Sequence, residues 1–250
     1  QWAHNYPDQP DRHSELTSGY GEEAYPNMSR MDWGVELFGW FNYYLKDIGQ
    51  EPEPMVQIQT NDGKWHVEDT WPPEDMAWEI QDLSSIWTQT GDSVTGFGGE
   101  VTLVSQPFEN ATHISGLPTL HLDVTTQSCQ GGQIFATLYD NDDNLRLGHA
   151  TMDVRYRDGG HDAKATAPLT SYTMLMEFNP LDIIIPEGHS LRLELTESGE
   201  DYLPSPCATN PLGGLTVNGG DFGLPIIDRP DSHEAWFLAP PWWEQQPIPQ

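Results

Sequence analysis

Positive charge is what this sequence has least of. Ten Lys and Arg stand against thirty-nine Asp and Glu in 250 residues, a formal net charge of −29. The lysines are Lys46, Lys64 and Lys164. A nucleic-acid partner needs basic side chains to neutralise its phosphates, so none is expected. The same deficit disfavours adsorption to an anionic membrane. Long apolar runs are missing too, whereas a spanning helix needs ~20 such residues. No secretory leader is visible, and the chain opens on Gln rather than Met, which points to a piece of something longer. Cysteine is scarce: Cys129 and Cys207 are too few for a metal site, and neither sits in a CxxC pair. Two unpaired thiols are the expectation, ahead of a disulfide between two loops.

What is present is aromatic and extended. Ten Trp, nine Tyr and eight Phe supply bulk for a sizeable core. Such a chain is not disordered, and its acidic excess reads as a salt-adapted surface, because screening relieves self-repulsion. The stretch from Ile183 to Glu197, IIIPEGHSLRLELTE, shows the pattern best. A buried approach segment leads to a turn at Pro186-Glu187-Gly188. In the strand that follows, Leu191, Leu193 and Leu195 alternate with Arg192, Glu194 and Thr196. Strict alternation marks an antiparallel strand with one face on a core.

Further strands are expected at Val56–Gln59, Lys64–Val67, Trp78–Leu83, Val101–Val104, His113–Ser115, Leu120–Thr125, Gln133–Tyr139, Leu147–Tyr156 and Tyr172–Phe178. Turn-forming runs punctuate them, and Gly91–Glu100 reads as a flexible crossing loop. Many short strands so punctuated predict a mainly β fold, a sandwich or jelly roll.

The front of the chain differs. Residues Gln1–Tyr25 read as a loop. Ser29 to Asp32 resembles a capping box, and Met31, Val35, Phe38, Phe41, Leu45 and Ile48 recur at helical spacing up to a stop at Gly49. So broad an apolar face needs a large partner, which the sandwich covers in part and a missing domain in the rest. Glu51-Pro52-Glu53-Pro54 reads as a stiff linker. Beyond Asp228 the chain is Pro-rich and carries Trp242-Trp243, read as a tail pinned back on the domain.

Few groups suggest chemistry. A nucleophile elbow needs GxSxG. Gly91-Asp92-Ser93-Val94-Thr95 lacks the last Gly, and Ser190 opens a strand, so both serines are rejected. The run Asp140-Asn141-Asp142-Asp143-Asn144 has oxygen ligands at calcium-like spacing but lacks the later Gly and Glu, and reads as an acidic hairpin turn. Nine His without HxH or HExxH spacing give no zinc site, and most read as solvated. No metal or cofactor is expected. His4, flanked by Trp2 and Pro7, reads from its residues alone as an exposed loop side chain.

One resemblance changes that. Gln1-Trp2-Ala3-His4 resembles the Gly-Pro-Trp-(Ser/Thr)-His motif of the X-Pro dipeptidyl-peptidase and cocaine-esterase family of serine hydrolases. Gln1 and Trp2 depart from the usual front of that motif. Leu37–Gly49 resembles the family's Trp-Phe-Asp-x-x-Leu-Lys-Gly helix, and Val56–Pro73, with Asp69-Thr70-Trp71-Pro72, resembles the start of its C-terminal domain. Ile114-Ser115-Gly116, Leu147 through Arg155, and Gly188 through Leu193 match as well, so the likeness spans roughly residues 1–210.

The resemblance implies three parts: residues 1–50 as the end of an α/β-hydrolase domain, 51–228 as a galactose-binding-like jelly roll, and 229–250 as a tail. It makes His4 the catalytic base, with the Ser and Asp of the triad upstream. The implied partners are that N-terminal α/β-hydrolase domain and a peptide or ester substrate, with oligomeric state left open. Compartment is open too, a cytoplasmic location in a salt-adapted organism being the expectation. Two rivals stand beside it, a free-standing carbohydrate-binding module and an acidic structural protein.

Overall fold

The computed structural model describes residues 33–228, apart from short gaps at 53–55, 62–64, 96–97, 128–130, 160, 200–201, 203–204, 206 and 208–212. It opens with one helix, α1 (Trp33–Lys46). The expected stop at Gly49 comes earlier. Asp47 already takes the left-handed conformation, φ 55°, and the Ile48 N–H donates to the carbonyl of Asn42 at 3.0 Å. Asp is one of the few side chains that tolerates that region.

Fourteen strands follow: β1 (Val56–Gln59), β2 (Trp65–Glu68), β3 (Ala77–Asp82), β4 (Thr88–Thr90), β5 (Ser93–Val94), β6 (Val101–Val104), β7 (Thr112–Gly116), β8 (Thr119–Thr126), β9 (Gln133–Asp140), β10 (Leu145–Asp153), β11 (Ser171–Glu177), β12 (Leu181–Ile185), β13 (Leu191–Thr196) and β14 (Leu215–Ile227). All pair antiparallel. One sheet runs β10-β9-β13-β6-β4. A seven-stranded sheet runs β11-β8-β14-β7-β12, with β3 and β5 also on β14. β1 and β2 form a separate hairpin.

The two large sheets enclose one apolar core. Leu122, Val124, Met174, Phe222 and Leu224 of the seven-stranded sheet join Leu103, Ile134, Leu138, Leu191, Leu193 and Leu195 of the other in a single buried cluster. In β8 and β13 inward and outward residues alternate, as the period of two requires. In β13 the three leucines are buried and the residues between them half-buried. Leu193 sits directly between Leu103 and Leu138. The run Ile183–Glu197 therefore crosses the sandwich: Ile183–Ile185 end β12 in one sheet, and β13 lies at the centre of the other. Its turn uses Gly188 at φ +84°.

Four further expectations need correction. Residues 91–100 hold β5, whose Val94 is fully buried against β14, rather than only a crossing loop. The strand expected over Leu147–Tyr156 ends at Asp153, where that side chain caps a 3-10 turn over Val154–Tyr156. Cys207 is buried and disulfide-bonded, against the expected free thiols; Cys129 lies outside the described residues. A bond between loops constrains the unfolded chain where the strand pattern offers no support, a gain that spacing alone does not reveal.

The fourth correction concerns β14, which the sequence reading missed. It is the longest strand and pairs with β3, β5, β7 and β8. Gly219, Gly220, Gly223 and Pro225 break its pattern. Gly220 is required: with φ +142°, a Cβ there would lie 2.0 Å from the carbonyl oxygen of His121.

Candidate functional site

Three polar clusters and one apolar face stand out. The first cluster ties two turns together. Asp140 ends β9, and the turn Asn141–Asn144 leads into β10, which is the acidic hairpin expected from the sequence. His189 Nδ1 lies 2.9 Å from Asp140 Oδ2, and that carboxylate is 4 % exposed. The hydrogen bond with Asp140 raises the pKa of His189, helped by Asp143 and Asp142. Asp142 Oδ2 accepts from the backbone N–H of Ser190 at 2.8 Å and from its hydroxyl at 3.0 Å, which lowers the Asp142 pKa. Arg192 donates to Asn141 Oδ1 at 3.2 Å and to Asn144 Oδ1 at 2.7 Å, with its guanidinium over the Tyr139 ring. Ser, His and Asp meet here without triad geometry, because the Ser190 hydroxyl serves Asp142 and His189 serves Asp140. The arrangement locks two turns.

The second cluster lies on the β7–β12 pair. His113 Nε2 donates to Asp182 Oδ1 at 2.9 Å, and the Ser115 hydroxyl donates to Asp182 Oδ2 at 2.8 Å. All three are buried, so His113 departs from the solvated reading given to most histidines. The carboxylate stands between the other two, again no proton relay from serine to histidine. Next to it, Asn61 donates to the carbonyl of Ile184 and accepts from its N–H, both at 2.9 Å. That side chain pins the β1–β2 hairpin to the β12 edge, which would otherwise offer unpaired groups. Sequence reading missed this cluster; its one signal is an Asp inside the apolar run Leu181–Ile185.

The third cluster holds the loop after β13. Glu197 is 4 % exposed, and burial raises its pKa. Ser205 donates to its Oε1 at 2.6 Å, and the N–H of Cys207 donates to the Ser205 hydroxyl at 3.2 Å. The disulfide end of that loop is thereby fastened to the start of β9 through Gln133, whose N–H reaches Glu197 Oε2 at 3.4 Å.

The apolar face belongs to α1. Leu37, Phe38, Trp40, Phe41, Tyr44, Leu45 and Ile48 are all exposed, Phe38 and Leu45 to 70 % each. The aromatic side chains pack on one another, Trp40 against Tyr44 at 4.8 Å and Tyr43 against Tyr44 at 4.9 Å. The expectation that the sandwich covers part of this stripe is not met at these residues. A soluble protein seldom leaves so large a contiguous apolar patch bare, and such patches mark docking surfaces. His4, the one residue assigned a catalytic role from sequence, lies outside the described residues, as do Gln1, Trp2 and Trp242-Trp243.

Comparison with known proteins bears on the sandwich. The family model of the X-Pro dipeptidyl-peptidase C-terminal non-catalytic domain matches residues 98–222, half of the chain. No curated protein matches the sequence. Among solved structures, an aminopeptidase from a marine sediment Thaumarchaeota archaeon is 14 % identical with a TM-score of 0.56. That match covers 77 % of this chain and 43 % of the other. A CocE/NonD family hydrolase from Staphylococcus aureus is also 14 % identical, TM-score 0.56, over 80 % of this chain and 46 % of its own. An alpha-amino acid ester hydrolase matches at 14 % identity and TM-score 0.51, over 76 % and 44 %. At that identity the likeness is one of fold. The chain spans less than half the length of these structures.

Proposed function

Since the chain belongs to the X-Pro dipeptidyl-peptidase C-terminal non-catalytic domain family, we propose that it is the C-terminal portion of a serine hydrolase acting on peptide or ester bonds. Residues 1–50 are the last catalytic loop and closing helix of an α/β-hydrolase domain. Residues 51–228 are a galactose-binding-like jelly roll that packs on that domain and helps shape the entrance to its active site, and 229–250 are a tail. The observation that carries this reading is the exposed apolar face of α1, immediately before the sandwich. Seven large side chains gain nothing in water, and an upstream domain of the same chain would bury them.

In this reading His4 is the general base. It takes the proton of an upstream serine hydroxyl as that oxygen attacks the substrate carbonyl, then gives it to the departing amine or alcohol. An upstream Asp holds the imidazole, and backbone amides hold the oxyanion. The isolated chain has no such serine and is expected to be inactive. Its net charge of −29 fits an enzyme working in high salt.

The test is the mass and activity of the native gene product. A species of roughly 60–70 kDa, one α/β-hydrolase domain larger than this chain, should hydrolyse an Ala-Pro anilide or a phenyl ester. His4→Ala in it should lower kcat by several orders of magnitude. A native species of 28.1 kDa, or a mild effect of His4→Ala, overturns the assignment.

A further inference from the structure

The connection between β6 and β7 carries a group that the hydrolase reading leaves unused. Its middle is anchored against the β12–β13 turn. The Phe108 N–H donates to the carbonyl of His189 at 2.8 Å, and the Gly188 N–H donates to the carbonyl of Phe108 at 2.9 Å. Past that anchor the chain bends at Glu109 and Asn110 before β7 begins at Thr112. Glu109, Asn110 and Ala111 are all exposed. The Asn110 carboxamide bonds to no described residue, which leaves its nitrogen open to an enzyme.

Asn110-Ala111-Thr112 is an Asn-X-Ser/Thr triplet with X other than Pro, the acceptor of N-glycosylation. Among the described asparagines, Asn110 alone has a hydroxyl residue two positions on. A second triplet, Asn27-Met28-Ser29, lies outside the described residues. Such triplets arise by chance in many chains, and the surroundings decide whether one is used. Here the Thr112 hydroxyl donates to the Asn110 carbonyl at 3.0 Å, which brings the two determinants together at the bend. A glycan on this exposed bend meets water and displaces no core side chain.

The disulfide is the second, independent observation. Cys207 is 4 % exposed and disulfide-bonded, and the sequence has one other cysteine, Cys129. The fold is shaped to seat that sulfur. Gly131 has φ +151°, and a Cβ there would lie 3.2 Å from Cys207 Sγ. The Cys207 N–H donates to the Ser205 hydroxyl, which in turn closes on the buried Glu197. A bond so built in is structural, and structural disulfides form and persist in oxidising surroundings outside the cytoplasm. Glycan transfer to Asn takes place on that same side of a membrane. The cytoplasmic location expected from the sequence gives way to an exported one.

We propose that the chain is exported and that Asn110 carries an N-linked glycan. The donor is an oligosaccharide on a polyprenyl phosphate or pyrophosphate carrier. Asn110 Nδ2 bonds to C1 of the first sugar, and the C1–O bond to the carrier phosphate breaks. The electron pair leaves with that phosphate, and one Nδ2 proton passes to a base of the transferase. No group of the catalytic reading takes part, so the two assignments stand or fall separately.

The test is tandem mass spectrometry of the gene product purified from its source cells, with free thiols alkylated before any reduction. The peptide spanning Asn110 should be heavier by one or more sugar residues and release sugar fragment ions. Cys207 should escape alkylation. Asn110→Gln and Thr112→Ala, each produced in the same cells, should lose the mass increment, whereas Thr112→Ser should keep it. Three results overturn the proposal: an unmodified Asn110 peptide, an increment that survives Thr112→Ala, or an alkylated Cys207.

Discussion

The docking of α1 is decided by one pair of substitutions, Phe38→Gln and Leu45→Gln. Gln is close to Leu in helix propensity and better than Phe, so the helix itself is not weakened. Each of the two residues is 70 % exposed in this chain. Complete burial of such a side chain is worth ~1.5–3 kcal/mol. The area still open therefore corresponds to ~1–2 kcal/mol apiece, and ~2–4 kcal/mol for the pair, an upper figure because the unfolded reference is already partly compact. In the isolated chain the pair should change stability by no more than about 0.5 kcal/mol, the range of ordinary surface substitutions. In the full-length gene product the whole ~2–4 kcal/mol should be lost from the interface. The assay is urea unfolding in molar salt, read by tryptophan fluorescence for both proteins and by ester hydrolysis for the longer one. The full-length midpoint should fall while that of the isolated chain holds. Equal, small effects in both would refute the idea that an upstream domain covers this face. An equal, large loss in both would mean that the helix packs on the sandwich instead.

Further outcomes follow from the core, the turn lock and the charge. Leu193→Ala empties a fully buried position flanked by Leu103 and Leu138; it should cost ~3–4 kcal/mol, since paired strands close in poorly on a cavity. Calorimetry should show Tm lower by ~6–16 °C, and a drop under about 2 °C would refute the packing. The pKa of His189 is raised by Asp140, so its stabilising charge is fully present below the unfolded value near 6.5 and fades as pH rises through the higher folded value. His189→Gln should therefore lower the urea midpoint at pH 6 more than at pH 9, and an equal loss at both would remove the charged pair from the explanation. Thermal unfolding at low and at molar salt should show a higher Tm in salt, because a net charge of −29 repels itself until screened; equal values would refute salt adaptation.

Much of the fold was legible because strands with one buried face write their period into the chain. Leu191, Leu193 and Leu195 alternate strictly, and β13 sits where that alternation placed it. The helix was legible for the same reason, its apolar residues recurring at the spacing of turns. β14 was not. Its partners lie on both sides, and at Gly220 the carbonyl of His121 leaves no room for a side chain, so the sequence there shows the glycine of a loop. Proximity between distant residues imposes that demand, and no local pattern records it.

The candidate sites divide in the same way. Local residue order by itself made the chain strongly acidic, patterned it as mainly β behind an amphipathic helix, and pointed to one hydrolase family. Tertiary structure alone decided which polar groups meet. Asp182 reaches His113 and Ser115 across 69 and 67 positions, and Asp140 reaches His189 across 49. Asp123, Thr125, Ser171, Thr173 and Asn218 come together from three strands. Pairing register brings those side chains to one face. Register is set by burial on the opposite face, where a slip of one residue would turn Leu122, Met174 and Val217 out into water.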